Sequence, residues 1–420
     1  MKKFLLLTYY FPPCGGAGVQ RWLRLLKYLP SNGWQPTIIT TENGDYPVRD
    51  ESLLEQIPKE VKVIRTKTPS FGNLFRSILG RNEKLPYGSL NTSESDNFAK
   101  KILYWLRLNV VIPDARVIWN KFCHRAALEE LMSDKYELVV TTGPPHSTHL
   151  VGMKIHNDNK MKWITDFRDP WTKIYYLKLT EQNQAAQAIN RKLERKVVGN
   201  ADLNLVISHY ISEHLPEGRK KVFLNGFDPD DFKDLSYKRE SVFRIKYIGK
   251  LTEGQDIRPV FHSLSEMATR NKGITIEFSF IGTFEQIPRE IQSYEIESRN
   301  IPYVSHREAL WETVNAELLI LLINDYEGNE GMLTTKLFEY LGSRIPILCI
   351  GPKHGAAAEI ITEYKAGVVC DYGDTQAVDY AISYYYDRWA EGKELLNPED
   401  ISELSAPVQA KRLASIFNSL

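Results

Sequence analysis

Short apolar runs alternate with helical patterns along most of the chain. Lys3–Tyr9, Pro36–Thr41, Val61–Arg65, Glu137–Thr142, Lys162–Asp166, Leu203–Ser208 and Lys221–Asn225 read as strands in the first half. Phe243–Gly249, Ile274–Ile281, Leu318–Ile323, Ile345–Ile350 and Gly367–Cys370 do so in the second. Between them, Val19, Trp22, Leu26 and Leu29 recur at three- and four-residue steps, and Ala185, Ile189, Leu193 and Val197 at four, the period of a helix. Continuous apolar strands separated by helices predict parallel sheets covered on both faces. There are too many strands for one sheet, so the pattern predicts an α/β chain of two doubly wound, Rossmann-like domains.

The polar stretch Pro229–Arg239 marks the boundary, giving an N-terminal domain over 1–230 and a C-terminal domain over 240–400. A helical segment over 401–420 closes the chain, with the option of packing back on the first domain. Residues 68–98, rich in Ser, Asn, Gly and Lys, read as an insertion or loop.

Charge adds an asymmetry. The 420 residues carry 53 basic and 53 acidic side chains, which argues against a dedicated nucleic-acid binder. Residues 1–130 nevertheless hold 19 Lys/Arg against 12 Asp/Glu, and 59–125 hold 13 against 5. Within that stretch Lys100–Leu108 mixes cations, aromatics and aliphatics in a helical pattern. It reads either as a core helix with solvated lysines or as a segment lying on an anionic membrane. No apolar run is long enough to span a bilayer, and the opening Phe4–Leu7 run is too short for a secretory signal, so a cytoplasmic protein is expected. Four scattered cysteines, none in a CxxC pair, read as reduced thiols rather than as zinc ligands.

Two segments carry candidate chemistry. The first strand runs into Tyr10-Phe11-Pro12-Pro13-Cys14-Gly15-Gly16-Ala17-Gly18 and then a helix. Ligands of open parallel sheets bind beyond the carboxyl ends of strands, where a glycine-rich turn lets a phosphate or sugar approach the backbone. A plain strand–helix turn remains open. A dinucleotide fingerprint fits poorly, because Arg21 stands where its third glycine belongs. In the second half, Asn329-Glu330-Gly331-Met332-Leu333-Thr334-Thr335-Lys336-Leu337-Phe338-Glu339 follows a buried strand and leads into a helix. Gly331, Thr334 and Thr335 are expected at the helix start, where free N–H groups favour an anion. Lys336 and Glu339 share one face. A cation suits a phosphate, and a carboxylate accepts two hydrogen bonds from a ribose diol. An ordinary amphipathic helix with a surface ion pair is the competing reading.

With Asp166-Phe167-Arg168-Asp169-Pro170-Trp171, Glu194…Ala201-Asp202, Leu224-Asn225-Gly226-Phe227-Asp228, Tyr247-Ile248-Gly249-Lys250-Leu251 and Lys336–Leu341, these segments resemble the family 4 retaining glycosyltransferases of the GT-B fold. The resemblance covers almost the whole length. It implies two Rossmann-like domains facing each other across a cleft. The first would take a glycan or lipid-linked acceptor and the second a nucleotide-sugar donor such as a UDP- or GDP-sugar. It also implies a hexosyltransferase-like enzyme of surface polysaccharide or glycoconjugate synthesis, with no cofactor and no metal. An epimerase or hydrolase of sugar nucleotides, or a non-catalytic binding paralogue, is the alternative.

The resemblance further implies residue roles. Gly15 and Gly16 would face the donor phosphates or the acceptor, and Gly249, Lys250 and Lys336 the diphosphate. Glu339 matches the second glutamate of an E-x7-E signature, which holds the donor ribose. The first glutamate falls on Gly331, with Glu330 one place off. Gln255 stands where a second Lys or Arg is common. The base would lie between a Gly282-Thr283-Phe284 turn and Ser305-His306, and Leu337 would line the donor site. His146 is the nearest substitute for a histidine of the catalytic region, and Asp169 could accept an acceptor proton. Asp166 and Asp169 read equally as turn or cap residues. Front-side attack, with the leaving phosphate oxygen taking the acceptor's proton, is the implied mechanism.

Overall fold

The computed structural model describes residues 1–46, 48–68, 98–174, 182–252, 254–270, 276–284 and 296–420. The stretch read as an insertion therefore lies almost wholly outside the described residues. The chain divides into two compact units, Met1–Leu224 with Gln409–Leu420, and Asn225–Val408.

In the first unit the strands are β1 (Lys2–Leu7), β2 (Trp34–Thr41), β3 (Lys62–Thr66), β4 (Leu138–Gly143), β5 (Lys162–Phe167), β6 (Leu203–Val206) and β7 (Lys220–Val222). They form one sheet in the order β3-β2-β1-β4-β5-β6-β7, every pair parallel. The helices α1 (Ala17–Tyr28), α2 (Phe98–Asn109), α3 (Asn120–Ser133), α4 (Ser147–Asn159), α5 (Gln184–Asn200) and α6 (His209–His214) intervene. Phe4, Leu5, Leu6 and Leu7 are all fully buried, as a central strand covered on both faces requires.

The second unit repeats the plan. Its strands β8 (Phe243–Leu251), β9 (Ile276–Phe284), β10 (Ser298–Ile301), β11 (Leu318–Leu322), β12 (Ile347–Ile350) and β13 (Gly367–Cys370) run parallel in the order β10-β9-β8-β11-β12-β13. Helices α7 (Arg258–Arg270), α8 (His306–Val314), α9 (Thr335–Ser343), α10 (Ala356–Glu363) and α11 (Thr375–Ala390) join them.

The closing helical segment is shorter than its pattern predicts. A single turn at Ser402–Leu404 precedes α12 (Ala406–Asn418), because Ser405 is held extended. Phe227 N–H donates to the Leu404 carbonyl at 3.1 Å and Ala406 N–H to the Phe227 carbonyl at 2.7 Å, pinning the chain there. Pro407, the second residue of α12, has no N–H to leave unpaired in that first turn. Ala410, Leu413, Ala414, Ile416 and Phe417 of α12 join the first unit's core, Phe417 lying edge-on to Phe4 and Trp34 at 5.1 Å each.

Each sheet has one place where neighbouring strands connect outward in opposite directions: between β1 and β4, and between β8 and β11. Beyond the carboxyl ends of such strands a crevice opens in doubly wound sheets, and ligands bind there.

Candidate functional site

In the second unit, Gly249 and Gly282 are register partners near the carboxyl ends of β8 and β9. Both have positive φ, 122° and 132°. A Cβ on Gly282 would lie 2.3 Å from the Gly249 carbonyl oxygen, and one on Gly249 would lie 3.1 Å from Lys336 Cδ. Glycine is what lets the strand ends meet with the Lys336 side chain laid across them. Gly282, Thr283 and Phe284 belong to β9 and not to a turn. The pairing with β8 continues as far as Leu251↔Phe284 and keeps them extended.

Lys336 Nζ donates to the Tyr247 hydroxyl at 3.0 Å and stands 4.4 Å from that ring's centre. Burial pulls the amine down to about 8, and the Glu339 charge only partly offsets this. The Tyr247 hydroxyl also lies 2.7 Å from the Lys250 carbonyl and 3.0 Å from Gln255 Oε1. Gln255 Oε1 accepts from Thr252 N–H at 3.0 Å, while its amide donates to the Leu322 carbonyl at 3.2 Å and to Asn324 Oδ1 at 3.1 Å. Gln255 thus ties the end of β8 to the end of β11 on either side of the crevice. A charged Lys or Arg at this position could not accept the hydrogen bonds that Gln255 Oε1 accepts.

Glu339, one turn along α9, faces His306, with Oε1 and Nε2 3.1 Å apart. His306 opens α8, whose start is fixed by reciprocal bonds between Ser305 and Glu308. Lys336 and Glu339 do share a face, but each has its own partner. Thr335 is the first residue of α9 and Thr334 its cap, with no capping bond from the side chain and its hydroxyl buried without a partner. Gly331 is buried but lies four residues ahead of the helix. The turn closed by Met332 N–H on the Asn329 carbonyl separates it from the free N–H groups. Leu337 is fully buried on the core side, so it supports the helix rather than lining the crevice. Lys250 is exposed at the strand end.

In the first unit, Gly15 and Gly16 follow β1. Gly15 is buried and bonded to the Val48 carbonyl, and Gly16 is exposed at φ 95° as the cap of α1. His146 precedes α4 after Gly143-Pro144-Pro145 and stacks on Trp171 at 5.2 Å. Both its ring nitrogens are buried, and neither has a hydrogen bond of good geometry among the described residues, although the Pro170 backbone acts on the ring as an acceptor. His149 Nδ1 pairs with the Thr141 hydroxyl at 2.8 Å. Burial, with the Arg168 charge behind it, holds His149 down to about 3; burial and the neighbouring His149 hold His146 well below its ordinary value. Burial pushes Asp169 up to about 6 against the opposing charge of Arg168.

Asp166 is wholly engaged. It pairs with Arg21 at 2.9 Å and accepts from Trp22 Nε1 and the Thr142 hydroxyl, each at 2.8 Å. It is an anchor, as is Glu194, which accepts from Thr172 N–H and hydroxyl at 3.1 and 2.6 Å. The residues read from sequence therefore gather in two places: His146, Asp169, Gly15 and Gly16 in the first unit, and the rest in the second. The Tyr247–Gln255 tie was not read from the sequence; an aromatic on the strand eight residues before a glutamine carries no signal by itself.

This fold is that of GT-B proteins: two Rossmann-like units with parallel sheets of seven and six strands. No family model matches the chain, and no curated protein does. Solved structures do. A glycosyltransferase from Rickettsia africae aligns over 100% of this chain and 98% of its own, at 14% identity and a TM-score of 0.62. Anabaena HepE, solved with UDP-glucose, aligns over the whole of both chains at 12% identity and a TM-score of 0.59. The N-terminal domain of trehalose-6-phosphate phosphatase from Candida albicans aligns over 100% and 97%, at 11% identity and a TM-score of 0.63. At such identities the likeness establishes the fold, and one fold hosts several chemistries.

Proposed function

We propose that the protein is a retaining glycosyltransferase of the family 4 kind, moving a sugar from a nucleotide-sugar to a glycan or lipid-linked acceptor of surface glycoconjugate synthesis. The observation that carries this reading is Lys336 laid over the Gly249–Gly282 pair, with Glu339 one turn further, at the crevice between β8 and β11. The bare glycine backbone admits a diphosphate, and Lys336 and Lys250 supply fixed positive charge. Glu339 is placed to exchange its bond with His306 for a ribose diol. The UDP-glucose bound in the HepE structure is in keeping with such a donor.

The protein's part in the reaction is to stabilise charge growing on the leaving diphosphate. The acceptor hydroxyl's proton passes to the leaving phosphate oxygen as the new glycosidic bond forms on the same face. A preorganised donor of this sort typically contributes about 2.7–4 kcal/mol of barrier lowering. No step of this mechanism calls on a metal or cofactor.

The exposed side chains of Ile102, Trp105 and Leu106 on α2, next to exposed Lys101, support contact with an anionic membrane surface. Absence of salt-sensitive binding to anionic vesicles would remove that part of the reading.

A thermal-shift screen of UDP-, GDP-, ADP- and dTDP-sugars tests the donor site, since a ligand bound only by the folded state raises the transition temperature. One nucleotide class is expected to stabilise wild type and to fail with Lys336→Ala. Equal stabilisation of both proteins would refute the assignment.

A further inference from the structure

Four arginines of the first unit lie towards one end of its sheet. Arg65 is the penultimate residue of β3, and Arg168 directly follows β5. Arg107 comes from the last turn of α2, and Arg116 from the short turn Ala115–Trp119. Arg65 donates to the Pro12 carbonyl at 2.6 Å, Arg168 to the Pro144 carbonyl, and Arg116 to the Asp45 carbonyl at 3.2 Å. These acceptors lie in the segments after β1, β4 and β2. Arg65, Arg116 and Arg168 therefore converge beyond the carboxyl ends of the strands, at the β1–β4 crevice where the fold places ligands, and Arg107 stands in the field of Arg116. Two of them, Arg168 and Arg116, act with Arg49 on the buried thiol of Cys14. Burial pushes it up to about 12 against the pull of the Arg168, Arg116 and Arg49 charges.

Two observations set this cluster apart from a structural one. None of the four has a carboxylate within ion-pair distance among the described residues. Against burial, Tyr10 and Tyr9, with the Asp45 and Asp114 charges, nevertheless hold Arg116 above its ordinary value. Asp114 is used to cap Ser147 and Arg116 N–H, at 2.8–2.9 Å, and Arg49 turns away to the exposed Glu51. In addition, Arg65 Nη1, Arg107 Nη1, Arg116 Nε and Arg168 Nε are each buried without a hydrogen-bond partner among the described residues. Buried donors are almost always satisfied, so several together mark a place where a ligand completes the bonding. Arg107 makes no side-chain hydrogen bond to any described residue and stands in the field of Arg116. Burial and that like charge hold its guanidinium below its ordinary value. Gly18 allows the arrangement, since a Cβ there would lie 2.3 Å from Arg168 Nη1.

We infer that Arg65, Arg107, Arg116 and Arg168 form an anion site for a phosphate or diphosphate group, the chemistry matched by guanidinium forks with unpaired N–H donors. Resting on the glycosyltransferase reading, this names the acceptor class: a phosphorylated acceptor, held by its phosphate on the first unit. A lipid headgroup and a soluble phosphoester share this chemistry, and the two are separable by experiment.

Titration calorimetry of the full chain with pyrophosphate and glycerol 3-phosphate tests the site in wild type, Arg107→Gln, Arg65→Gln with Arg107→Gln, and Lys336→Ala. Wild type and Lys336→Ala are expected to bind glycerol 3-phosphate alike. Pyrophosphate, which the donor site also accepts, should lose one binding event in Lys336→Ala and keep the other. Each lost guanidinium is expected to weaken the remaining binding by about tenfold, the ratio that 1.4 kcal/mol represents. Arg107→Gln is expected to melt no lower than wild type, because it forfeits no bond and relieves like charge. Nucleotide-sugar binding should show the reverse pattern, lost in Lys336→Ala and kept in the arginine variants. The anion site and the donor site can thus fail independently. Flotation with phosphatidylcholine vesicles, with and without phosphatidic acid, assigns the source. Binding that needs phosphatidic acid and the arginines marks a lipid-linked phosphate, and tight binding of glycerol 3-phosphate a soluble one. The inference is overturned if wild type binds none of these phosphates, if the double variant binds as wild type does, or if glucuronate binds as well as phosphate.

Discussion

The ammonium of Lys336 is held against the face of Tyr247, 3.0 Å from its hydroxyl and 4.4 Å from its ring centre. With an amine that loses its proton near pH 8, donor affinity should fall as pH rises above that value, because the cation that meets the diphosphate is lost. Lys336→Ala is expected to cost about 2.7–4 kcal/mol in transition-state stabilisation, with the fold retained. Initial rates of sugar transfer across pH 7–10, for both proteins, provide the check; a flat wild-type profile would contradict it.

Tyr247→Phe removes the hydroxyl that links Lys336, the Lys250 carbonyl and Gln255. Lys336 Nζ, the Lys250 carbonyl and Gln255 Oε1 each lose a partner, the last keeping its bond from Thr252 N–H. Even one buried group left unpaired costs about 1–3 kcal/mol of stability. Lys336 is freed from its resting contact, so the phenylalanine variant should show altered kcat with a smaller change in donor KM. Denaturant unfolding and steady-state kinetics on one preparation separate the two effects.

Glu339→Ala should abolish most sugar transfer while the far-UV spectrum stays unchanged. His306→Ala removes only the resting partner of that carboxylate and should leave activity much closer to wild type. Activity of Glu339→Ala near the wild-type level would exclude the ribose-holding role.

Asp166→Asn leaves the buried Arg21 charge without its carboxylate, and the two side chains are 2% and 0% exposed. Breaking such a pair from one side costs about 3–5 kcal/mol. A urea midpoint close to wild type would show that the Phe223 and Leu224 carbonyls, which Arg21 also reaches at 2.9 and 3.0 Å, suffice to hold it.

Acid should destabilise the protein through its paired histidines. His149 titrates near 3 in the folded chain and His146 well below 6.5, while both take protons near 6.5 once unfolded. Between those values the unfolded chain binds more protons, so stability falls with falling pH by about 1.4 kcal/mol per unit for each histidine. Asp169 acts oppositely. Raised from 3.8 to about 6, it gives the folded chain the extra proton in that window. Thermal melts between pH 4 and 7 should therefore show a shallower slope for His149→Gln and a steeper one for Asp169→Asn. Unchanged slopes in both would exclude the histidine account.

The sequence carried the sheets and the Lys336–Glu339 face because those signals are periodic and local. Leu318–Leu322 is apolar at every position, and two charged residues three apart on a helix must share a side. What it could not carry depends on partners distant in the chain. The register of β8 with β9 decides that Gly282–Phe284 is strand rather than turn, and no property of those three residues reveals it. Gln255 looked like a lost cation and proves to be a neutral tie, which becomes visible only once Tyr247, Leu322 and Asn324 are placed around it. The excess of basic residues in 59–125 was legible as a number, whereas the meeting of Arg65 and Arg116 with Arg168 at the strand ends belongs to the topology.

Phe417 closes the edge of a core begun by Phe4, with the whole second unit between them in sequence. A ribosome delivers the first unit's seven strands well before the residues that seal one face of their sheet. Until α12 emerges, Phe4, Trp34 and Leu138 have an uncovered neighbour position, and a chaperone or a second nascent chain can occupy it. The order of synthesis thus makes the second unit's completion a condition for the first unit's final stability.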